Sequence, residues 1–435
     1  MWWSIQMSHG SRVTAVSFLL IGSSFILTLF AANSIKNLQP YSDPTGTLKT
    51  YSTQGSIDLS NAFFQPLGTN GNGRSCVTCH APSDGWSVSV EHLKQRSPLD
   101  PIFQLLDGAN CPTADPSKTP AQTYGLLLSK GLIRISLPVP TGAEFTVSVN
   151  NDPYECSATT DTQLSLYRRP LPSTSLRFLP AIMWDGREPD LTTQAGNAAA
   201  VHAVPAAPPT AGQLQQIVSL ETSLFTAQSD DSIAGSLTAR GADGGPTNLS
   251  QQTFFPGINP DGVNVFALYP RWTGLSGNAK ANQQGSIARG EMLFNNRPIR
   301  ITGVAGFNDL RGQDPVSGTC GTCHNAPNVG SSSSFAMMNI GTSTPRFDLP
   351  SYLLQCTDGT QVFTSDPGRA MATGKCADIG KFKVPSMRGL AARAPYFHDG
   401  SAATLEQVLN FYDQRFGMLL TDQEKADLIA FMNSL

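Results

Sequence analysis

One short pattern occurs twice in the 435-residue chain: Cys76-Val77-Thr78-Cys79-His80 and Cys320-Gly321-Thr322-Cys323-His324. Two thiols at this spacing can form thioethers with the two vinyl groups of one haem, and the His that follows is carried under the ring to offer nitrogen to iron. A redox Cys-x-x-Cys needs no His there, and a zinc site needs two more ligands nearby. Two copies therefore point to two covalently attached haem c groups, with His80 and His324 as proximal ligands. They use four of the eight cysteines. Of the rest, Cys111 and Cys156 bracket one segment and Cys356 and Cys376 a short loop after the second motif. Among the three pairings available, Cys111–Cys156 and Cys356–Cys376 are expected as disulfides.

What a haem does depends on its sixth position. Beyond the proximal pair and His9, the chain has only His92, His202 and His398, and no Met lies between His80 and Met183. The first haem is thus either open or capped by a His. For the second, Met387 and Tyr412 are rivals that spacing alone does not separate. Thr404 with Gln407 reads as a capping box, after which Leu405, Val408, Leu409, Tyr412 and Phe416 fall on one helical face, so Tyr412 points inward. Thr421 with Glu424 starts a closing helix whose Leu428, Ile429, Met432 and Leu435 form its apolar side.

Elements must hold these groups, and the length suggests two domains. The expected architecture is mainly α: residues 1–34 a leader, 35–275 one cytochrome c-like haem domain, and 276–435 a second. Ile287, Met292 and Phe294 mark a short helix ending near Asn295-Asn296, and Ile57 to Phe64 reads as a similar lead to the first motif. An insertion at about 97–160 contains two alternating runs, Leu132–Leu137 and Glu144–Val149, around a Pro-Thr-Gly turn, which reads as a β-hairpin. Residues 197–212 and 229–262 read as loops or linkers.

With 29 basic against 32 acidic residues there is no cationic surplus, which argues against nucleic acid or an anionic membrane as the main partner. Arg12 precedes an uncharged apolar run over 13–32, so the chain is expected to be exported to the periplasm, with cleaved signal peptide and retained membrane anchor both open. Disulfides persist in that compartment.

Longer segments carry a resemblance. Lys383-Val384-Pro385-Ser386-Met387-Arg388-Gly389-Leu390, then Ala394-Pro395-Tyr396-Phe397-His398-Asp399-Gly400-Ser401, and Met183-Trp184-Asp185-Gly186-Arg187 with Gln194-Ala195, resemble the bacterial dihaem cytochrome c peroxidase family. The resemblance implies hydrogen peroxide as oxidant and a redox protein as partner. It makes Tyr412 the counterpart of the Met that ligates the second iron, as in the MauG-like branch, and Met387 core filler. Trp184 falls where the family keeps an electron relay between the haems, the alternative being a packed aromatic. Gln194 matches a distal residue, but Ala198 and Val204 stand where a Pro and the acid/base Glu belong, so His202 is the candidate acid/base or reversible ligand. His398 reads as a structural hydrogen-bonding residue. The family's calcium uses carbonyls near Arg393 and Pro395 plus an Asn whose place Arg169 takes, which leaves calcium open.

Three functions follow as expectations. The first is a MauG-like oxidase that activates peroxide at the N-terminal haem and draws electrons through Trp184 and the C-terminal haem from a protein partner. A conventional peroxidase fed by a small redox protein is the alternative, and a non-catalytic dihaem carrier a further one. Rubber-oxygenase-like chemistry on an organic substrate is more remote.

Overall fold

A computed structural model describes residues 33–67, 71–115, 117–257 and 264–435. The apolar run over 13–32 and His9 lie outside the described residues. Helix accounts for 32% and strand for 19%, so the strand content is larger than a mainly α reading with one small hairpin implies. Among the described residues no helix is long and apolar enough to cross a membrane.

The best-marked sequence signals are helix starts. Thr404 accepts from the Gln407 amide and opens Leu405–Phe416, although the Gln407 side chain turns back to the amide of Ala403 rather than of Thr404. Thr421 and Glu424 form the full reciprocal box at the head of Asp422–Asn433. The helix before the second motif runs over Ala279–Asn296, longer than expected, with Ile287 and Phe294 buried. Met292 faces outward and is half-exposed. This helix crosses Asp422–Asn433 closely because Gly290 has no side chain: a Cβ there would meet the Asp427 carbonyl at 2.0 Å. The lead to the first motif differs, since Ile57–Asp58 is a short strand followed by turns rather than a helix. It still delivers an aromatic ring to the same place. Phe63 lies 6.5 Å from the His80 ring, and Phe294 lies 6.2 Å from that of His324.

Two expectations about 97–262 are corrected. Both alternating runs form strands, but not with each other. Ile133–Pro138 pairs with Gln163–Arg168, whereas Phe145–Asn151 pairs with Ser351–Cys356, which in turn pairs with Gln361–Thr364. Pro138 and Pro140 remove amide donors beside the turn. The Val139 amide goes to the Thr162 carbonyl and the Glu144 amide to that of Gly374, so the chain leaves the first strand and enters a different sheet. The stretches read as loops also contain structure: a π-helical turn at Ala199–Ala203, the last three residues of a strand at Leu224–Asp231 and a helix at Gly245–Gln251. Both expected disulfides are present, Cys111–Cys156 and Cys356–Cys376.

Apolar side chains gather around each Cys-x-x-Cys-His motif. Around the first are Phe63, Trp86, Ala195, Ala199, Ile217 and Leu220. The core around the second draws on residues from Ala234 onward, including Trp272, Phe294, Leu409 and Phe431.

Candidate haem sites and their junction

At the first motif the chain turns through Cys76–Thr78, and the His80 amide bonds back to the Cys76 carbonyl, which sets the two sulfurs and the imidazole against one space. His80 Nδ1 donates to the Trp86 carbonyl at 3.0 Å, leaving Nε2 as the lone-pair nitrogen. The second motif repeats the arrangement. The His324 amide bonds to the Cys320 carbonyl, and Nδ1 donates to the Gly330 carbonyl at 2.6 Å. In both motifs the accepting carbonyl is six residues beyond the His. Burial keeps both imidazoles neutral, pushing His80 down to about 4 and His324 in the same direction.

These residues fit haem. The four motif cysteines are the free ones, while the other four are bonded in pairs. Burial pushes the motif thiols up, Cys79 to about 11 and Cys320 and Cys323 to about 12, which suits neutral thioether sulfurs and disfavours the thiolate a zinc or redox site needs. A cavity of about 260 Å³ opens beside Cys76, Cys79 and His80, walled largely by aliphatic side chains. Its wall also holds the Glu221 carboxyl, pushed up to about 7 by burial, whose Oε2 has no partner among the described residues. Such an orphan suits a ligand with a polar edge.

The cavity brings together His80, Trp184, Gln194 and His202. His92 is not among its lining residues; it lies at the surface, paired with Asp84. His202 sits in the π-helical turn that follows Leu191–Ala198, and its Nδ1 bonds to Asp107 Oδ2 at 2.6 Å. Asp107 is 2% exposed and also pairs with Arg74. Burial alone would raise its carboxyl, but His202 and Arg74 together hold it below the usual carboxylate range. Arg74 Nη2 is fixed in turn by the Ile102 carbonyl at 2.7 Å. Sequence reading missed Asp107 and Arg74, because nothing local marks an Asp that meets a His 95 residues away.

In the second half, Tyr412 packs against Phe397, Phe411 and Phe416 within the core that includes Cys320 and Cys323. Its phenol is pushed up, by burial first and then by the two cysteines. Met387 is buried against Gly330, where an added Cβ would meet its sulfur at 2.8 Å. Gly330 is the residue whose carbonyl holds His324 Nδ1, so Met387 packs beside the His324 anchor.

A second repeat becomes plain in three dimensions. Ile182 bridges Glu188, and Tyr396 bridges Ala402. Within each loop a left-handed residue (Met183, Phe397, both φ 66°) precedes Trp184 or His398, then Asp, then a left-handed Gly (Gly186, Gly400, both φ 63°). A capped helix then begins at Leu191 or Leu405. Trp184 and His398 thus occupy equivalent positions, and their rings meet edge to face at 6.2 Å. Counting on from them, Ala198 stands fourteen residues after Trp184 as Tyr412 stands fourteen after His398. Ala198 lines the first cavity. Each Asp is buried, Asp185 between Arg168 Nη1 (2.5 Å) and Arg187 Nη1 (2.9 Å). The shared Asp-Gly-x4-Leu spacing was a signal available in the sequence.

Of the carbonyls near the expected calcium position, that of Arg393 is taken. Arg169 Nη2 donates to the carbonyls of Val88 (2.6 Å) and Arg393 (2.9 Å), and Nη1 to that of Lys130 (2.8 Å). Among the described residues no cluster of three or more His, Cys, Asp or Glu side chains is arranged to hold a metal ion. At that position a guanidinium, that of Arg169, holds the Arg393 carbonyl.

No family model matches the chain. It is 33% identical over 150 residues to cytochrome-c peroxidase IdrP1 of Denitromonas iodatirespirans, covering 29% of this chain and 39% of that one. It is also 33% identical over 131 residues to cytochrome c551 peroxidase of Nitrosomonas europaea, covering 29% and 34%. The chain therefore matches less than two fifths of these relatives' length. Among solved structures, a MauG-like protein associated with microbial copper homeostasis aligns over 86% of both chains at 15% identity and a TM-score of 0.39. Over these segments the chain is similar to bacterial proteins named cytochrome c peroxidases.

Proposed function

We propose that the protein is an exported dihaem oxidoreductase that activates hydrogen peroxide at the site of His80 and draws electrons from a protein partner by way of Trp184 and the site of His324 and Tyr412, in the manner of the MauG-like branch. Its two halves act as two haem domains. The observation that carries the reading is the internal repeat: where the second half has Tyr412, the first has Ala198, whose methyl group cannot ligate. One half has a donor at that position and the other leaves space for a small molecule.

A bound haem supplies the iron at which the O–O bond breaks and the electrons that follow. His202 supplies the proton handling. With Nδ1 held by Asp107, Nε2 takes a proton from peroxide and returns it to the departing oxygen, so that water leaves. Asp107 fixes the imidazole orientation and stabilises its protonated form, as buried carboxylates do for catalytic histidines. Gln194, also on the cavity wall, offers an amide to orient the peroxide. Trp184 borders the cavity on one side and His398 on the other, and its Nε1 is anchored to the Arg169 carbonyl at 2.8 Å, which suits an electron relay held in one orientation. Tyr412 offers a hard, anionic donor that favours ferric over ferrous iron.

Adding stoichiometric peroxide to the ferric protein and following optical and Mössbauer spectra tests the reading. Oxidation beyond the ferric state is expected. If neither iron passes Fe(III), the enzyme reading fails and an electron carrier remains. The peroxidase names of the relatives favour a second reading, a conventional peroxidase, which fast turnover with a reduced small cytochrome c would select.

A further inference from the structure

Arg169 is buried at the junction of the two halves, and among the described residues no carboxylate is ion-paired with it. Its guanidinium is instead surrounded by three backbone carbonyls from separate stretches of chain. Val88 follows the first Cys-x-x-Cys-His loop, Lys130 ends the helix Gly125–Lys130, and Arg393 belongs to the second half. The main chain of Arg169 is equally committed, its amide to the His398 carbonyl at 2.7 Å and its carbonyl to Trp184 Nε1. One residue thus ties the Trp184 loop to its counterpart at His398.

A buried cation hydrogen-bonded to converging carbonyls, with no ion-paired carboxylate and with Asp84 acting only from a distance, is unusual for a side chain, since burying an unpaired charge is costly. Burial and the neighbouring Arg393 push the guanidinium down, to about 9, still charged at neutral pH. Converging backbone carbonyls are among the hard oxygen donors that a bound calcium ion uses. The backbone is shaped to the guanidinium: at Gly131 (φ 63°) a Cβ would lie 2.2 Å from Arg169 Nη1.

We propose that Arg169 is a built-in cation that replaces a bound metal ion at this junction, so that the Trp184 and His398 loops stay engaged without calcium. This inference does not depend on the peroxidase reading, because it concerns how the halves are held together.

The experiment uses the haem-loaded protein. After dialysis, elemental analysis should find no stoichiometric calcium, and neither EGTA nor added calcium should move the thermal midpoint or the haem spectrum. One calcium per chain, or a chelator-dependent shift, overturns the proposal. Arg169→Asn removes the charge and leaves the three carbonyls. The variant should melt below the wild-type protein in EGTA, and calcium should raise its midpoint while leaving wild type unmoved. A folded variant indifferent to calcium would show that the carbonyls serve only a guanidinium, and the replacement claim would fall. If the variant does not fold, the wild-type measurements still decide.

Discussion

Four side chains carry the proposed chemistry, and each makes a separate demand on experiment. His202→Ala should slow the reaction with peroxide by about 100-fold or more, the scale of a lost general acid/base. Asp107→Asn should give a smaller loss and shift the pH profile of the same step, because the imidazole keeps its place but loses its charged partner. Stopped-flow rates across pH distinguish the two, and a His202→Ala variant as fast as wild type would remove His202 from the mechanism. Tyr412→Phe should change the optical and paramagnetic spectra of the second haem, since a phenyl ring cannot ligate. Unchanged spectra would turn attention to another donor. Trp184→Phe should leave the first reaction with peroxide intact and slow the arrival of electrons from the second haem, read by rapid-scan spectra. At this scale the motif residues were legible, because haem attachment is a local spacing rule. Asp107 and Arg74 were not, because their meeting with His202 is made by folding alone.

Among the elements, the least foreseeable pairing is that of Phe145–Asn151 with Ser351–Cys356. The alternation of each run was readable and produced strands, but alternation specifies which face is buried, not which partner strand is taken. The partner was decided by two prolines at the turn and by a competing strand at Gln163–Arg168. Cys356 ends that sheet opposite Phe145, and its disulfide to Cys376 closes a loop with a sequence separation of 20. Replacing both cysteines by Ser should cost about 2–4 kcal/mol, measured by denaturant unfolding, with the haem spectra unchanged. Loss of haem on this substitution would mean that the sheet supports the second site directly. The capped helices were legible for the opposite reason: a Thr and the residue three positions on satisfy local amides wherever the helix docks.

For the molecule as a whole, the buried group formed by Arg168, Asp185 and Asp366 joins the Trp184 loop to the loop closed by the second disulfide. Burial by itself would raise both carboxyls, but Arg168 and its hydrogen bonds hold them below their ordinary value of 3.8. A depressed acid contributes stability that is fully present above its unfolded value and lost as pH falls through the folded one. Thermal midpoints should therefore decline below about pH 4, and Asp366→Asn should lower the midpoint at neutral pH and flatten that acid decline. An acid limb as steep as wild type in the variant would place the sensitivity elsewhere. By itself the sequence determined where the two proposed haem-attachment motifs lie, which cysteines pair, where the last helices begin and that Tyr412 turns inward, all consequences of short-range spacing. The tertiary structure decided that two loops of one pattern place Trp184 against His398, that Ala198 stands where its counterpart is Tyr412, that Asp107 orients His202, and that Arg169 fills a cage of carbonyls. The contacts of Trp184 with His398, Asp107 with His202 and Arg169 with its carbonyls bring together segments far apart in the chain, which no local pattern encodes.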